Sequence, residues 1–236
     1  MEALVTIAHE AGYLLGLLFF LPLWIFLYWT RPRSRREMLV VGISAGMATV
    51  IFSHFFALHN YWDPPYLFGR PYIFEDFLYG FIYLGIASEL GEAILRRRDR
   101  TPTNIGTAAL LKIILLPTLV ALPIFYIISL FPDMNAILPY LLVPALFGFG
   151  VCVMRPDLII VSLVNAIAVT VLTSAAFYIA LLIESSSIDL YWKTENLSGI
   201  LWLNIPIEEY LFAFTVAFGI SNSYEYFTDT QLERAR

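Results

Sequence analysis

Residues 204–214 read NIPIEEYLFAF, and they place two neighbouring carboxylates, Glu208 and Glu209, inside an otherwise apolar stretch. The pattern predicts the opening turns of a long apolar helix, with Asn204 as the N-cap and Pro206 accepted in the first turn. A carboxylate inside a membrane helix is energetically costly, and such a residue is therefore a candidate for function. The stretch thus predicts a membrane-embedded helix that begins at an acidic site.

The same arrangement occurs once earlier in the chain, where residues 74–81 read FEDFLYGF and carry Glu75 and Asp76. An alignment of Glu75 with Glu208 also places Asp76 opposite Glu209. Four further identical pairs then follow, which are Leu78 with Leu211, Phe81 with Phe214, Ser88 with Ser221, and Glu92 with Glu225. Two dipeptides match as well, Arg31-Pro32 with Arg155-Pro156 and Tyr61-Trp62 with Tyr191-Trp192. We interpret these matches as an internal repeat.

The composition is that of a membrane protein, because 59% of the residues are apolar and only 14% are charged. A soluble domain has about half apolar and about a quarter charged residues. Stretches long enough to cross a bilayer, about 20 residues, lie near 11–29, 38–58, 73–95, 106–131, 137–154, 158–183 and 205–226. The sequence therefore predicts an all-α, polytopic membrane protein with seven transmembrane helices.

The distribution of lysine and arginine predicts the orientation of these spans in the membrane. Arginines are concentrated in the connections after the first and third spans, at Arg155 and in the C-terminal tail. The connections after the second, fourth and sixth spans carry only Arg70 and Lys193. We therefore predict a cell-membrane protein with its N-terminus outside and its C-terminus in the cytoplasm.

The repeat and the orientation together predict the domain organisation. Residues 1–100 form a first repeat of three helices, residues 136–236 form a second, and residues 101–135 carry a linker helix that restores the orientation. The repeats are then parallel, and both acidic pairs lie at the outer ends of their helices at similar depth. Membrane proteins built from repeats commonly place their working site at the repeat interface.

Several classes of function lack their sequence signals. The chain contains no dinucleotide-binding fingerprint, no P-loop and no H-E-x-x-H motif, so we expect no cofactor. Three histidines and the single Cys152 are too few for a His-rich or Cys-rich metal site, so we expect no metal. We also expect no nucleic-acid partner. A retinal protein would need a lysine in its last helix, but the lysines are Lys112 and Lys193. An intramembrane protease with a Glu-Glu pair would need a basic residue where Ala213 stands.

The class of function that remains is acid catalysis on an apolar molecule. Burial in hydrocarbon favours the neutral form of a carboxyl group, and a second carboxyl nearby acts in the same sense. An aromatic ring face stabilises a cation by about 0.5–2 kcal/mol. The candidate catalytic residues are Glu208, Glu209, Glu75 and Asp76, with Glu208 as the first choice for the acid. The candidate substrate-binding residues are Trp62, Tyr79, Phe212, Tyr210, Trp192 and His54, the last as a proton relay.

With these residues in place, the chain resembles the membrane-integral lycopene cyclases that work without a flavin. The segment PIEEYLF at residues 206–212 is similar to the P-x-E-[ED] motif of that family. Trp62-Asp63 is similar to a tryptophan–aspartate element of the family's first half. The first acidic copy departs from the motif, because Ile73 stands in place of the proline and Asp76 in place of the second glutamate. The chain length, the seven predicted spans and the duplicated halves resemble the fused form of the family.

This resemblance implies a redox-neutral isomerase of carotenoid biosynthesis, an intramolecular lyase that closes the acyclic ψ-end of lycopene into a β-ionone ring. An acid would protonate the terminal double bond, the neighbouring double bond would capture the cation, and loss of a ring proton would complete the reaction. The expected partners are a membrane-dissolved carotenoid and the lipid bilayer. Two alternatives stay open: a hydratase or isomerase of another isoprenoid, and a non-catalytic membrane binding or scaffold protein.

Overall fold

The computed structural model describes residues 2–57, 61, 62, 64, 73–100, 106–131, 137–183 and 191–234. The fold is all-α, as the sequence predicts. Its helices in the described ranges are α1 (Glu2–Thr30), α2 (Arg35–Phe52), α3 (Ile73–Ile94), α4 (Thr107–Ser129), α5 (Leu138–Met154), α6 (Ile159–Ile183), α7 (Ile207–Ile220) and the short α8 (Ser223–Thr228). A π-helical turn at Ser53–Ala57 prolongs α2, and 3-10 turns occur at Pro156–Leu158 and Thr194–Asn196.

Short strands form two antiparallel pairs: β1 (Arg97–Arg100) with β4 (Gln231–Arg234), and β2 (Leu201–Trp202) with β3 (Ile205–Pro206). Leu203 and Asn204 form the turn between β2 and β3, with φ angles of 52° and 61°. Positive φ at both central residues is the requirement of a type I′ hairpin turn. The prediction that Asn204 caps the following helix is therefore wrong, and Pro206 is the N-cap of α7.

Four helical segments are long and apolar enough to cross a membrane: Arg35–Phe56, Ile73–Ile94, Thr107–Ile128 and Pro156–Ile183. Two shorter apolar helices cover Gly16–Thr30 and Leu138–Met154. The predicted span at 205–226 is not one continuous helix, because a turn at Ser221 and Asn222 separates α7 from α8. The full set of seven spans stays a prediction.

Helix α3 is at the centre of the described bundle and packs against α1, α2, α6 and α7, while α7 also packs against α5 and α6. The buried core includes Phe20 of α1, Met38 of α2, Tyr83 of α3 and Val216 of α7. By contrast, large apolar side chains on the outer faces of α4, α5 and α6 are exposed. Such a continuous apolar surface is a liability in water, whereas it matches lipid tails in a bilayer.

Close approach between helices depends on glycine at several contacts, and two of them are especially tight. A Cβ atom at Gly80 of α3 would lie 2.5 Å from the carbonyl oxygen of Ala45 in α2. A Cβ atom at Gly219 of α7 would lie 2.2 Å from the carbonyl oxygen of Pro144 in α5. Since both obstacles are backbone atoms, any larger residue must separate the helices.

We expect Gly219→Ala to lower the free energy of unfolding by about 1–3 kcal/mol, the usual cost of overpacking a tight contact. Thermal or denaturant unfolding of the detergent-solubilised protein measures this. Gly150→Ala in α5 is the matched control, because a Cβ atom there meets nothing within 4 Å. The control should gain about 0.5–1 kcal/mol from the better helix propensity of alanine. Equal stability of Gly219→Ala and the wild type would show that the two helices do not pack as described.

The two halves of the chain contact each other through corresponding segments. Trp62 and Trp192, which match in the sequence repeat, form an antiparallel bridge. Their rings meet edge to face with a centroid distance of 4.6 Å. Strands β1 and β4, which follow α3 and α7–α8 respectively, pair with each other in a register that places Asp99 opposite Leu232.

The two matched arginines make similar contacts. The Arg31 guanidinium donates to the Glu89 carboxylate and to the carbonyl oxygen of Arg97. The Arg155 guanidinium donates to both carboxylate oxygens of Asp157, at 2.8 and 2.9 Å. It also donates to the carbonyl oxygen of Thr230 at 2.9 Å. Each arginine therefore connects the turn between the first two helices of its half to the segment that follows the acidic helix of the same half.

Candidate active site

A cavity of about 550 Å³ lies inside the bundle, and residues from α1 to α7 line it. Most of its wall is aliphatic or aromatic. The acidic residues among its described lining are Asp76 and Glu209. The structure thus brings one carboxyl group from each acidic helix opening into a shared apolar space.

Asp76 lies in the first turn of α3 and is almost completely buried. The hydroxyl group of Tyr13 in α1 donates a hydrogen bond to Asp76 Oδ1 at 3.0 Å. The Tyr13 ring also packs edge to face against Trp62, with a centroid distance of 5.5 Å. A side chain of α1 therefore orients the first carboxyl group.

Glu209 lies in the first turn of α7 and is 6% exposed. The indole nitrogen Nε1 of Trp192 donates a hydrogen bond to Glu209 Oε1 at 2.6 Å. The Trp192 ring is itself held edge to face by Phe177 of α6, with a centroid distance of 5.3 Å. The second carboxyl group is thus oriented by a tryptophan that is part of the contact between the two halves.

The other member of each acidic pair is buried but does not line the cavity. Glu208 Oε1 accepts a hydrogen bond from the backbone N–H of Ser198 at 2.6 Å, which connects α7 to the segment before β2. Glu75 is 1% exposed and also lies outside the lining. Neighbouring side chains on a helix point about 100° apart, so only one acid of each pair can face the cavity. The geometry favours Glu209 over Glu208, and Asp76 over Glu75.

Tyr61 lies close to both carboxyl groups in the connection between α2 and α3. Burial raises the pKa of Tyr61 well above its ordinary value, and the neighbouring Tyr140, Glu209 and Asp76 raise it further. Its phenol therefore stays protonated at any physiological pH. Its backbone carbonyl accepts a hydrogen bond from the N–H of Lys193 at 2.9 Å, beside the bridge of the two tryptophans.

Four of the six predicted substrate-binding residues line the cavity, namely Trp62, Tyr79, Phe212 and Trp192. The other two lie elsewhere. The Tyr210 hydroxyl donates to the carbonyl oxygen of Trp202 at 2.9 Å, so this side chain braces the β2–β3 hairpin. His54 is exposed in the π-helical turn after α2 and packs edge to face against Phe55. Asp63, which belongs to the tryptophan–aspartate element, lies outside the described residues.

Sequence reasoning missed Tyr13, Tyr140 and Phe177 as site residues. Each is an aromatic residue in an apolar helix, and no local pattern distinguishes it from ordinary packing. Tyr140 packs edge to face against Tyr61, with a centroid distance of 5.5 Å, and its hydroxyl donates to the carbonyl oxygen of Phe52 at 2.6 Å. Only the tertiary fold places these rings at the cavity.

Carboxylates that could together hold a metal ion occur outside this cavity. The oxygens of Glu37, Glu89 and Glu92 lie within 4.8 Å of one another and are buried. None of these residues lines the cavity, and Glu89 is bound to Arg31. What the cavity itself offers is two buried carboxyl groups, each held by a hydrogen-bond donor, in a space lined by aromatic rings. This arrangement can donate a proton to an apolar molecule, stabilise the resulting cation and take a proton back.

The second half of the chain is similar to a known protein family. Residues 134–227 match the family model described as lycopene cyclase. The matched segment contains α5, α6 and α7, and with them Trp192 and Glu209. Searches of curated proteins and of solved structures find no match. The family match supports a lycopene cyclase assignment for residues 134–227.

Proposed function

We propose that this protein is a membrane-integral lycopene β-cyclase that converts the ψ-end of an acyclic carotene into a β-ionone ring. The observation that carries the proposal is the shared cavity, in which Asp76 and Glu209 are the acidic groups of a mostly apolar and aromatic described lining. The segment that matches the lycopene cyclase model also contains Glu209 and its partner Trp192, which supports the proposal. A substrate dissolved in the bilayer suits such a cavity because it brings no polar groups that need partners.

The proposed reaction is an isomerisation that needs no oxidant. The carboxyl group of Glu209 gives its proton to the terminal carbon–carbon double bond, which leaves a tertiary cation. The neighbouring double bond attacks this cation and forms the carbon–carbon bond of the ring. The new cation then loses a ring proton to the carboxylate of Asp76, which regenerates a double bond. We assign the first step to Glu209 because it lies within the segment that matches the family model.

The aromatic lining stabilises the charge that moves through this sequence. Trp62, Tyr61, Tyr79 and Trp192 all line the cavity that holds the two acids. Each desolvated cation–π contact contributes up to about 2 kcal/mol. These rings also exclude water, which would otherwise capture the cation and give an alcohol.

The contacts between the halves support a parallel repeat with the site at its interface. Under the offset that aligns Glu75 with Glu208, Asp99 corresponds to Leu232, and these residues are opposite each other in β1 and β4. Trp62 and Trp192 likewise pair with each other. Pairing between equivalent residues is the mark of a two-fold axis. Under the same offset, Arg97 corresponds to Thr230, and their carbonyl oxygens accept from the matched arginines.

We therefore propose residues 1–100 and 136–236 as the two repeats, with α4 as the linker helix, in a seven-span chain. The proposed two-fold axis runs parallel to the helices. It passes near Trp62 and Trp192 at one end of the bundle and near β1 and β4 at the other. The proposed orientation has the N-terminus outside and the C-terminus in the cytoplasm. In this arrangement the acidic end of the cavity lies toward the outer face of the membrane.

Co-expression with enzymes that make lycopene tests the function. We expect the cells to accumulate carotenes with one or two β-ionone rings, identified by chromatography and by the shorter-wavelength absorption of the shortened chromophore. Hydroxylated acyclic carotenes would instead indicate a hydratase, since water would then have captured the cation. Unchanged lycopene, in cells where the protein is folded and in the membrane, would refute the cyclase proposal.

Trp192→Phe tests the hydrogen bond to Glu209 while it keeps an aromatic ring in the wall. The indole N–H stabilises the carboxylate that develops as Glu209 gives up its proton. A hydrogen bond to a charged group contributes about 1.5–3 kcal/mol, so we expect the rate of ring formation to fall by about 10–150-fold. Initial rates with lycopene in liposomes measure the effect. Trp202→Phe is the control, because Trp202 is 59% exposed and does not line the cavity. An equal loss in both variants would contradict a specific role of the Trp192 indole.

A further inference from the structure

The cavity is elongated along the helices. All but one of its lining residues on α4 follow a single stripe of that helix. The lining residues there are Ile113, Leu116, Pro117, Thr118, Val120, Ala121, Ile124 and Phe125, and Thr118 is the one off the stripe. Its lining on α7 runs from Glu209 through Phe212 and Val216 to Ile220. At 1.5 Å per residue these stripes span about 16–18 Å. A volume of about 550 Å³ over this length gives a mean cross-section of about 34 Å² or slightly less, which suits a single hydrocarbon chain.

The inner end of this cavity is closed by packed side chains. Val41 of α2, Ile113 of α4 and Tyr224 of α8 form a buried cluster there, with Ile220 packed against it. Both acidic groups lie at the opposite end, beside Trp62 and Trp192. A bound chain can therefore meet the acids with one of its ends but cannot continue straight through the inner end.

Three residues that line the cavity on α4 and α5 are also strongly exposed. Leu116 and Val120 of α4 and Leu146 of α5 all belong to the lining, and they are 41%, 52% and 64% exposed. By contrast, Val41 and Ile113, which line the packed inner end, are each 1% exposed. Among the described residues, this contrast indicates an opening in the side of the cavity between α4 and α5.

The length of the cavity is shorter than a carotene. An extended chain advances about 1.2 Å per bond, a third of the rise of an extended residue. A cavity of about 16 Å therefore takes up about 13 bonds, less than half of the roughly thirty bonds between the two ends of lycopene. The rest of the molecule must leave the cavity, and the described opening is at its side.

We propose that the opening between α4 and α5 admits one half of a carotene from the bilayer, while the other half stays in the lipid. This inference rests on the proposed function and adds to it the route by which the substrate enters the cavity. The end group that enters reaches Asp76 and Glu209, and the far half of the molecule stays outside. The rate of ring closure should therefore not depend on what the far end carries.

The first test compares two substrates with the wild-type protein in liposomes. Lycopene and a carotene with one ring and one ψ-end are each supplied at limiting concentration. We expect initial rates per ψ-end that agree within about threefold, since both present the same half to the cavity. We also expect one-ring product to appear before two-ring product. Conversion of lycopene without conversion of the one-ring carotene would overturn the proposal.

The second test narrows the opening. An additional bulky group in an apolar passage discriminates by about 10–200-fold, so Leu116→Trp and Leu146→Trp should lower the initial rate by this factor. Leu115→Trp and Leu142→Trp are matched controls, because both residues are 44% exposed yet do not line the cavity. Controls should stay close to the wild-type rate. Equal effects at all four positions would refute the opening between α4 and α5. Gly16 of α1 also lines the cavity and is exposed, and a loss of rate in Gly16→Trp without one in Leu116→Trp would refute this opening in favour of one at α1.

A binding experiment tests the opening independently of the proposed cyclisation, and it does not need the tryptophan variants. Leu116→Cys and Leu146→Cys, with the native Cys152 replaced by alanine, are labelled by a lipid-soluble maleimide. We expect bound lycopene to slow labelling at these positions and to leave Leu115→Cys and Leu142→Cys unchanged. Protection without any ring formation would refute the cyclase but keep the opening. Labelling that lycopene does not affect at any position would refute the opening itself.

Discussion

Glu209→Gln is expected to lower the rate of β-ring formation by about 10²–10⁴-fold, the usual contribution of a positioned proton donor. Glutamine keeps the size of the side chain and can still accept the hydrogen bond from Trp192 Nε1. It has no acidic proton, so the terminal double bond cannot be protonated from this position. Initial rates with lycopene in liposomes, together with the amount of lycopene that copurifies with the variant, separate lost chemistry from lost binding.

Glu208→Gln is the matched control for this prediction, since it makes the same change in the neighbouring residue. Glu208 accepts the backbone N–H of Ser198 and does not line the cavity, so we expect a much smaller effect on the rate. Asp76→Asn should impair the reaction as Glu209→Gln does, because it removes the proposed proton acceptor. Full turnover in both Glu209→Gln and Asp76→Asn would refute the acid–base site. A loss confined to Glu208→Gln would return the catalytic role to that residue.

The sequence predicts the acidic pair Glu208 and Glu209 but not which of the two faces the cavity. Two carboxylates in an apolar helix predict an acidic opening, because burial of such groups without a function is costly. Which of the two faces the cavity depends on where the helix begins and how it is rotated. The β2–β3 hairpin ends at Pro206, so that the first turn of α7 begins at Ile207. From the sequence alone, the asparagine of the hairpin turn, Asn204, cannot be distinguished from a helix N-cap.

The long-range partners of the acids could not be predicted for a related reason. Tyr13 is 63 residues from Asp76 in the chain, and nothing in the local pattern of α1 marks it as a hydrogen-bond donor. Trp192 is a candidate from the sequence as an aromatic ring that can stabilise a cation. It also matches Trp62 in the repeat, and the structure has these two residues in direct contact. Repeats thus reveal contacts between equivalent residues, whereas contacts between unrelated positions need the tertiary fold.

The length of the last helix was overestimated from hydropathy alone. The apolar stretch continues past Ile220, but the backbone turns at Ser221 and Asn222 before α8 begins. The Asn222 side-chain amide donates to the Ser162 hydroxyl of α6. Its partner lies on another helix, so the apolar pattern of α7 contains no information about it.

Arg31→Met is expected to lower the free energy of unfolding by about 3–5 kcal/mol, the cost of removing one partner of a buried ion pair. The Arg31 side chain is 13% exposed and that of Glu89 is fully buried. Methionine keeps most of the apolar stem but removes the guanidinium that binds Glu89 and the carbonyl oxygen of Arg97. Oxygens of Glu37 and Glu92 also lie within 4.8 Å of a Glu89 oxygen, so three buried carboxyl groups would then be close together without this cation. Denaturant or thermal unfolding in detergent measures the loss.

Arg33→Met is the control for this prediction, because Arg33 lies in the same connection and also pairs with a carboxylate. Its contact with Glu233 is 3.8 Å long, and both side chains are more than half exposed. An exposed pair of this kind contributes about 0–1 kcal/mol. The double variant Arg31→Met/Glu89→Met should recover most of the lost stability, since replacing a whole buried pair by apolar groups is often neutral. If Arg31→Met and Arg33→Met destabilise the protein equally, or if the double variant is no better than Arg31→Met alone, the Arg31–Glu89 pair does not hold α1 and α3 together in the way its burial indicates.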